Sequence, residues 1–235
     1  MDREDIRCEK VEELIIAIDG PSGAGKSTLA KRLARDLGYT YLDTGAMYRA
    51  LALKILRQGL DLGDVAKLAR LVDATEIDLA ERQGESQVLL DGVDVSALIR
   101  TPEVSQMASK VSAFPVVRKR MLELQRALGQ KGSVVAEGRD IGTVIFPEAE
   151  VKIYLDASVD ERGRRRYEEL RAAGRDVTLE ETVRELKERD KRDSERDVAP
   201  LRKAEDALAI DSSQLTAETV RAQVIRAVKQ KSLTN

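Results

Sequence analysis

The sequence predicts an α/β fold, a mostly parallel sheet flanked by helices. Three observations lead there. Short apolar runs such as "LIIAID" (14–19) lack polar alternation, the mark of strands covered on both faces. Stretches with apolar residues at helical spacing lie between them. Strand and helix signals then alternate along most of the chain.

Taken in order, residues 1–13 read as a charged, frayed tail and 14–235 as a single domain. "LIIAID" is a buried strand, and "GPSGAG" a loop. Over Lys26–Leu37, Leu29, Leu33 and Leu37 recur every four residues beside Ala30 and Ala34, an apolar helix stripe that Gly38 ends. "YTYLD" is a second strand, Ala46–Gln58 a second helix and 61–73 a third. Between Glu76 and Ile99 the texture changes to short antiparallel strands, with turn chemistry at Gly84 and Asp91-Gly92. Residues 103–128 are helical with a break near Pro115. "SVVAEGRD" and "EVKIYLDAS" are further buried strands. Residues 159–196 are densely charged helix, "DALAIDSS" a last strand and 217–229 a last helix.

Composition excludes whole classes of chemistry. The 235 residues include no His, which removes His general bases, Ser-His triads and most transition-metal sites. The lone cysteine, Cys8, leaves no intrachain disulfide, and Asn occurs only at position 235. The N-terminal segment "MDREDIRCEKVEE" is too charged for a signal peptide, and no apolar run approaches the ~18 residues of a membrane span. A reducing, cytoplasmic setting is expected. Net charge is -2, and residues 160–206 balance 14 basic against 15 acidic residues, so no phosphate-tracking patch for nucleic acid is expected.

"GPSGAGKS", Gly20–Ser27, fits G-x-x-x-x-G-K-[ST] in its required strand–loop–helix context. The motif predicts a P-loop NTPase core. Glycines let N–H groups turn toward phosphate oxygens, Lys26 reaches the β- and γ-phosphates, and the Ser27 hydroxyl ligates Mg²⁺. A guanine-reading N-K-x-D needs an internal Asn, which is absent. A small P-loop fold with an inserted segment and an Arg-rich helical region suggests a kinase for a small phosphate acceptor.

"GPSGAGKST", "LDTGAMYR", "RTPEVS", "AFPVVR", "GRDIGTVIFP", "KIYLDAS", "KERDKRDSERDVAPL" and "DALAIDSS" together resemble the bacterial cytidylate kinase family, in that family's order and over nearly all of the chain after the tail. The resemblance implies ATP + (d)CMP giving ADP + (d)CDP with Mg²⁺. It implies a nucleoside-monophosphate-binding insertion at about 72–109 and a helical lid at about 159–176. ATP is then held by Gly20, Pro21, Ser22, Gly23, Ala24, Gly25, Lys26, Ser27 and Thr28. Thr44, Ser109, Arg118 and Asp140 surround the cytosine, where a carboxylate suits the N4 amino group and a donor suits N3 or O2. Position 44 is often Ser in the family, and Thr keeps the hydroxyl. Arg49 and Arg139 take the acceptor phosphate, for which Arg forks suit better than Lys. Arg189 and Asp193 lie near the sugar, and Arg196 near the phosphate.

Lys26, Arg139, Arg165 and Arg196 are the expected catalytic set, with Arg165 drawn from the lid arginines 162, 164, 165 and 166. Those four also suit a solvated helix with pairs such as Arg164–Glu168. Glu137 either orders Mg²⁺ through water or is structural. At helical spacing, Arg189, Asp193 and Arg196 fall on one face. A monomer with no nucleic-acid or membrane partner is expected. Kinases for UMP, AMP or shikimate, and an ATP-binding regulator without turnover, are the alternatives.

Overall fold

A computed structural model describes residues 14–82, 85–130 and 132–232. The turn expected at Gly84 and the tail at 1–13, with Cys8, lie outside these residues. The chain runs β1 (Ile15–Asp19), α1 (Lys26–Leu37), β2 (Thr40–Asp43), α2 (Thr44–Arg57), α3 (Val65–Asp73), β3 (Ile77–Arg82), β4 (Glu85–Leu90), β5 (Val93–Asp94), α4 (Pro102–Val111), α5 (Pro115–Gly129), β6 (Val134–Gly138), β7 (Val151–Asp156), α6 (Val159–Ala172), α7 (Leu179–Glu195), β8 (Leu208–Asp211) and α8 (Ala217–Ser232).

Five strands form a wholly parallel sheet in the order β2-β6-β1-β7-β8. It is buried on both faces, which is why its strands read as unbroken apolar runs. Ile16 and Ile18 pack with Leu29, Leu33 and the Val220/Val224/Val228 stripe of α8. Ala17 between them faces α2 and α5, through Met47, Leu51, Val117 and Met121. From β1 the chain goes one way to β2; from β6 it goes the other way to β7. The carboxyl ends of β1 and β6 therefore flank a topological switch point, where open α/β sheets bind ligands.

A separate antiparallel sheet, β3-β4-β5, occupies Ile77–Asp94. Asp91 and Gly92 both take positive φ (48° and 79°), the two-residue turn that matches strand twist. The run "VDVSALI" yields only a two-residue strand before a 3₁₀ turn at Leu98–Arg100.

Several boundaries differ from expectation. α2 begins at Thr44, because Asp43 caps it by accepting the Ala46 N–H at 2.8 Å. Residues 159–196 form two helices: Gly174 (φ 74°) ends the first, and the reciprocal Thr178/Glu181 cap starts the second. Arg196 lies beyond α7, at φ -65° and ψ 141°, so it does not share the helix face of Arg189 and Asp193. The "GRDIGT" segment ends β6 at Gly138 and continues into a single π-helical turn, Ile141–Ile145.

α6 and α7 pack closely at Gly163, where a Cβ would lie 2.3 Å from Val183 Cγ2. Gly163→Ala gains ~1 kcal/mol of helix propensity but overpacks at a cost of ~1–3 kcal/mol. Faster amide exchange in α6 and α7 and a lower Tm are expected, with Val183→Ala in the same chain restoring both. A single variant more stable than wild type would contradict this packing.

Candidate active site

A cleft of about 730 Å³ opens over the carboxyl ends of β1 and β6, between the glycine-rich loop, α2, α4 and the α6–α7 pair. Gly20 starts the loop at φ 147°, where a Cβ would sit 1.9 Å from the Leu155 carbonyl oxygen, so only glycine fits. Ser22, Gly23, Gly25, Lys26, Ser27 and Thr28 line the cleft; Gly20, Pro21 and Ala24 shape the loop from behind. Two carbonyls of the loop are tied back: Ser22 accepts from Arg162 Nη1 (3.1 Å) and Ala24 from Ser212 Oγ (3.1 Å). Because trans peptides oppose their C=O and N–H, the Gly23 and Gly25 N–H groups turn toward the cleft. The N-terminus of α1 adds its positive end.

Lys26 is buried and donates to the Pro21 carbonyl at 2.6 Å. Burial, with the positive charges of Arg139 and Arg189, pushes its ammonium down to about 7 against the pull of Glu137 and Asp19. Beside it, the Ser27 hydroxyl is in hydrogen-bonding reach of Glu137. Tyr41 donates to Glu137 Oε1 at 2.5 Å. Burial raises the Glu137 carboxyl, and the neighbouring Asp43 raises it further. Asp43 and Glu137 are paired in register across β2 and β6, so two carboxylates and a hydroxyl stand at the mouth of the loop.

The opposite wall is a lattice of arginines and carboxylates. Asp193 of α7, buried, accepts from Arg139 Nε (2.9 Å) and lies 3.9 Å from Arg189 Nε and 3.5 Å from Ser109 Oγ. Burial pushes its carboxyl up, yet Arg139, Arg189 and Arg196 outweigh burial and hold it below the usual range. Arg189, half-buried and beside Arg139, is itself pushed down to about 10, by loss of water and by the neighbouring positive charge. Asp140 pairs with Arg118 through Oδ2, and its Oδ1 lies 3.5 Å from Arg196 Nη2. Arg118 also donates to the Ser112 carbonyl (3.2 Å) and sits over the Tyr48 ring at 5.8 Å. Thr44 Oγ1 donates to the Glu137 carbonyl (2.7 Å), and Arg49 pairs with Asp43 at 3.0 Å.

Three guanidinium N–H groups of this wall are buried without a hydrogen-bond partner: Arg49 Nε, Arg189 Nε and Arg196 Nη2. A buried, unpaired donor is costly, and three from separate segments lining one cleft suit an anion with several oxygens.

The sequence-expected residues thus gather in one place, with the four α6 arginines divided. Arg165, held by Glu161 (2.8 Å) and the Ser212 carbonyl (2.7 Å), and Arg166 line the cleft. Arg164 is exposed and paired to Glu161 and Glu168. Arg162 is buried behind the loop, on Ser22, Ala157 and Asp190 (2.7 Å). Sequence reasoning missed the loop-supporting role of Arg162, whose signal is its place one turn after the Ser158 cap. It also missed Asp19, which accepts two backbone N–H groups. Arg192, on the same side of the helix by spacing, donates to Ser109 Oγ (3.2 Å) and Gln106 (2.7 Å).

The family model described as cytidylate kinase matches residues 16–230. A cytidylate kinase of Geobacter sp. (strain M21) is 54% identical over 219 residues, covering 93% of this chain and 94% of its own. One from Carboxydothermus hydrogenoformans is 52% identical over 217 residues, covering 92% and 98%. Among solved structures, an uncharacterized protein from Eubacterium ventriosum matches in fold alone, with a TM-score of 0.52 at 15% identity over 92% of this chain and 99% of its own. With the family match spanning the loop, the arginine wall and all five parallel strands, this chain belongs to the cytidylate kinase family.

Proposed function

We infer that this chain transfers the γ-phosphoryl group of ATP to CMP and dCMP, giving CDP and dCDP. One observation carries the reading: a loop that presents N–H groups faces, across one cleft, three buried guanidinium N–H groups without partners. Two anionic ligands brought together head to head are what such a cleft suits.

The triphosphate lies on Gly20–Thr28, and Lys26 leaves the Pro21 carbonyl for the β- and γ-oxygens. The acceptor phosphate takes Arg49, Arg139 and Arg196, while Arg189 and Asp193 face the sugar. Asp140 accepts from the cytosine N4 amino group, and Arg118 donates to N3 or O2, with Ser109 and Thr44 supplying hydroxyls. Uracil would set an acceptor, O4, against the same carboxylate. Transfer is direct and in line, since an acceptor phosphate oxygen needs no strong general base. Lys26, Arg139, Arg196 and Arg165 spread the charge that develops on the transferred oxygens.

The Ser27 hydroxyl beside Glu137, with Asp43 in register, fits Mg²⁺, an ion that keeps most of its water and takes phosphate oxygens. Among the described residues no group of three acidic, His or Cys side chains forms a closed cage, in keeping with an ion carried in by the nucleotide. When bound, it would neutralise β- and γ-phosphate charge.

The insertion at about 72–109 serves as the acceptor-binding element and about 159–176 as the lid, which excludes water on closing. The working form is a monomer in the cytoplasm, without nucleic-acid or membrane partners. Balanced charge over 160–206 argues against a phosphate-tracking patch. Among the described residues no helix is long and apolar enough to cross a membrane.

ADP release with ATP, Mg²⁺ and each of CMP, dCMP, UMP, AMP and shikimate is expected to favour the two cytidine nucleotides; flat rates across the panel would sink the assignment. Asp140→Ala is expected to weaken CMP by about tenfold or more. UMP should suffer less, and equal losses would remove Asp140 from base reading.

Lys26 gives a pH signature. Its lowered pKa of about 7 leaves it mostly neutral at pH 8, and a bound triphosphate recharges it. Calorimetry in buffers of differing ionisation enthalpy is expected to show uptake of up to about one proton per ATP at pH 8, falling toward pH 6 where Lys26 is already charged. Lys26→Met should abolish both the uptake and turnover. Binding at pH 8 with no proton linkage would contradict a neutral Lys26.

A further inference from the structure

The π-helical turn Ile141–Ile145 directly follows Asp140, and its two ends are tied down by residues from elsewhere. At its start, the first N–H groups of a helical turn have no partner of their own. Here one carboxylate takes two of them: Asp19 Oδ1 accepts from Ile141 N and Oδ2 from Gly142 N, each at 2.8 Å. At its end, Arg126 of α5 donates to the Val144 (2.8 Å) and Ile145 (3.0 Å) carbonyls. The Asp140 carbonyl accepts from Val144 N (2.9 Å) and Ile145 N (3.1 Å). The peptide that carries Asp140 into the turn is thus bonded through both its carbonyl and its N–H.

Asp19 is itself held in place by the strands on either side. It ends β1 in register with Gly138 on one side and Tyr154 on the other, next to Gly20, whose close approach to Leu155 allows no side chain. A Cβ at Gly142 would come within 3.2 Å of Lys152 and 3.5 Å of Asp19 Oδ2, so the turn lies flat against this anchor.

We propose that Asp19 is a positioning residue for acceptor recognition: its carboxylate fixes the backbone from which Asp140 presents its side chain, and thereby sets discrimination between cytosine and uracil. The inference rests on the reading of Asp140 as the carboxylate that faces the base. Two features make the dependence sharp. Asp140 meets Arg118 and Arg196 through different oxygens, so a small rotation of its backbone breaks both contacts. The anchor also lies between the nucleotide loop and the acceptor wall, so it registers one against the other. Burial raises the Asp19 carboxyl to about 6, which still leaves it an acceptor at neutral pH.

The test is steady-state kinetics with CMP and UMP on wild type, Asp19→Asn and Arg126→Met. Asn keeps the size but turns an NH₂ group against one of the two N–H donors. Asp19→Asn is expected to raise the KM for CMP about tenfold and to lower the CMP-over-UMP preference, with the KM for ATP changed by less than about twofold and any loss of kcat through Lys26 equal for CMP and UMP. Arg126→Met, which loosens the far end of the same turn, should lower Tm and leave the preference intact. Equal rises in the KM for CMP and UMP, an equal rise in the KM for ATP, or the same loss of preference in Arg126→Met would overturn the proposal. A wild type with no CMP preference would instead remove the Asp140 reading beneath it. If Asp19→Asn does not fold, Asp19→Glu displaces the carboxylate by one methylene and should show the same split in smaller measure; its absence would count equally against the idea.

Discussion

Asp193 is one buried carboxylate shared among three arginines, and the acceptor wall depends on it. Guanidinium groups taken out of water lose several kcal/mol of hydration unless an opposite charge is near. Arg139, at 2.9 Å, and Arg189, at 3.9 Å, are tolerated in the cleft because Asp193 compensates them, and Arg196 adds to the same field. The carboxylate comes from the last full turn of α7, and its backbone carbonyl accepts from Leu201 N at 2.7 Å. That bond folds the following chain back, and Arg196 leaves the helix within it to reach Asp140. Removing the charge of Asp193 would leave like charges facing each other with nothing between them.

The glycine-rich loop obeys a different constraint, one of backbone accounting. Its N–H groups can serve an anion only if its carbonyls point elsewhere, and the protein supplies side-chain donors to three of them: Arg162 to Ser22, Ser212 to Ala24 and Lys26 to Pro21. These donors come from α6, from the end of β8 and from α1. The loop is therefore held by the elements that surround the nucleotide. Arg162 also pairs with Asp190, next to Arg189, so the support of the loop and the acceptor wall share α7.

How much of this was legible follows from the range of the forces. The parallel strands, α1 and the loop were readable because burial on both faces and the glycine pattern leave local marks, as in "LIIAIDGPSGAGKS". The antiparallel insertion was readable from Asp91-Gly92. The arginine wall was named through family resemblance, since nothing local distinguishes Arg189 from the solvated Lys187 beside it; only the distant Arg139 makes Asp193 a hub. The exit of Arg196 from α7 was invisible to helical spacing because the chain folds back there, through the bond from Leu201 N to the Asp193 carbonyl. The π-helical turn was hidden for the same reason, its donors being satisfied by Asp19, more than a hundred residues earlier.

The arginines of the acceptor wall already hold carboxylate partners before any substrate arrives. Anion binding there is therefore in part an exchange of ion pairs and in part the filling of the N–H groups that have no partner. Carboxylate oxygens of Asp43, Asp140 and Asp193 stand on the guanidinium groups for which an arriving anion would compete. Selectivity then falls to geometry: a simple anion such as sulfate meets the same charge but replaces only part of the bonding pattern, which lets the cleft stay closed to abundant small anions in a salty solution.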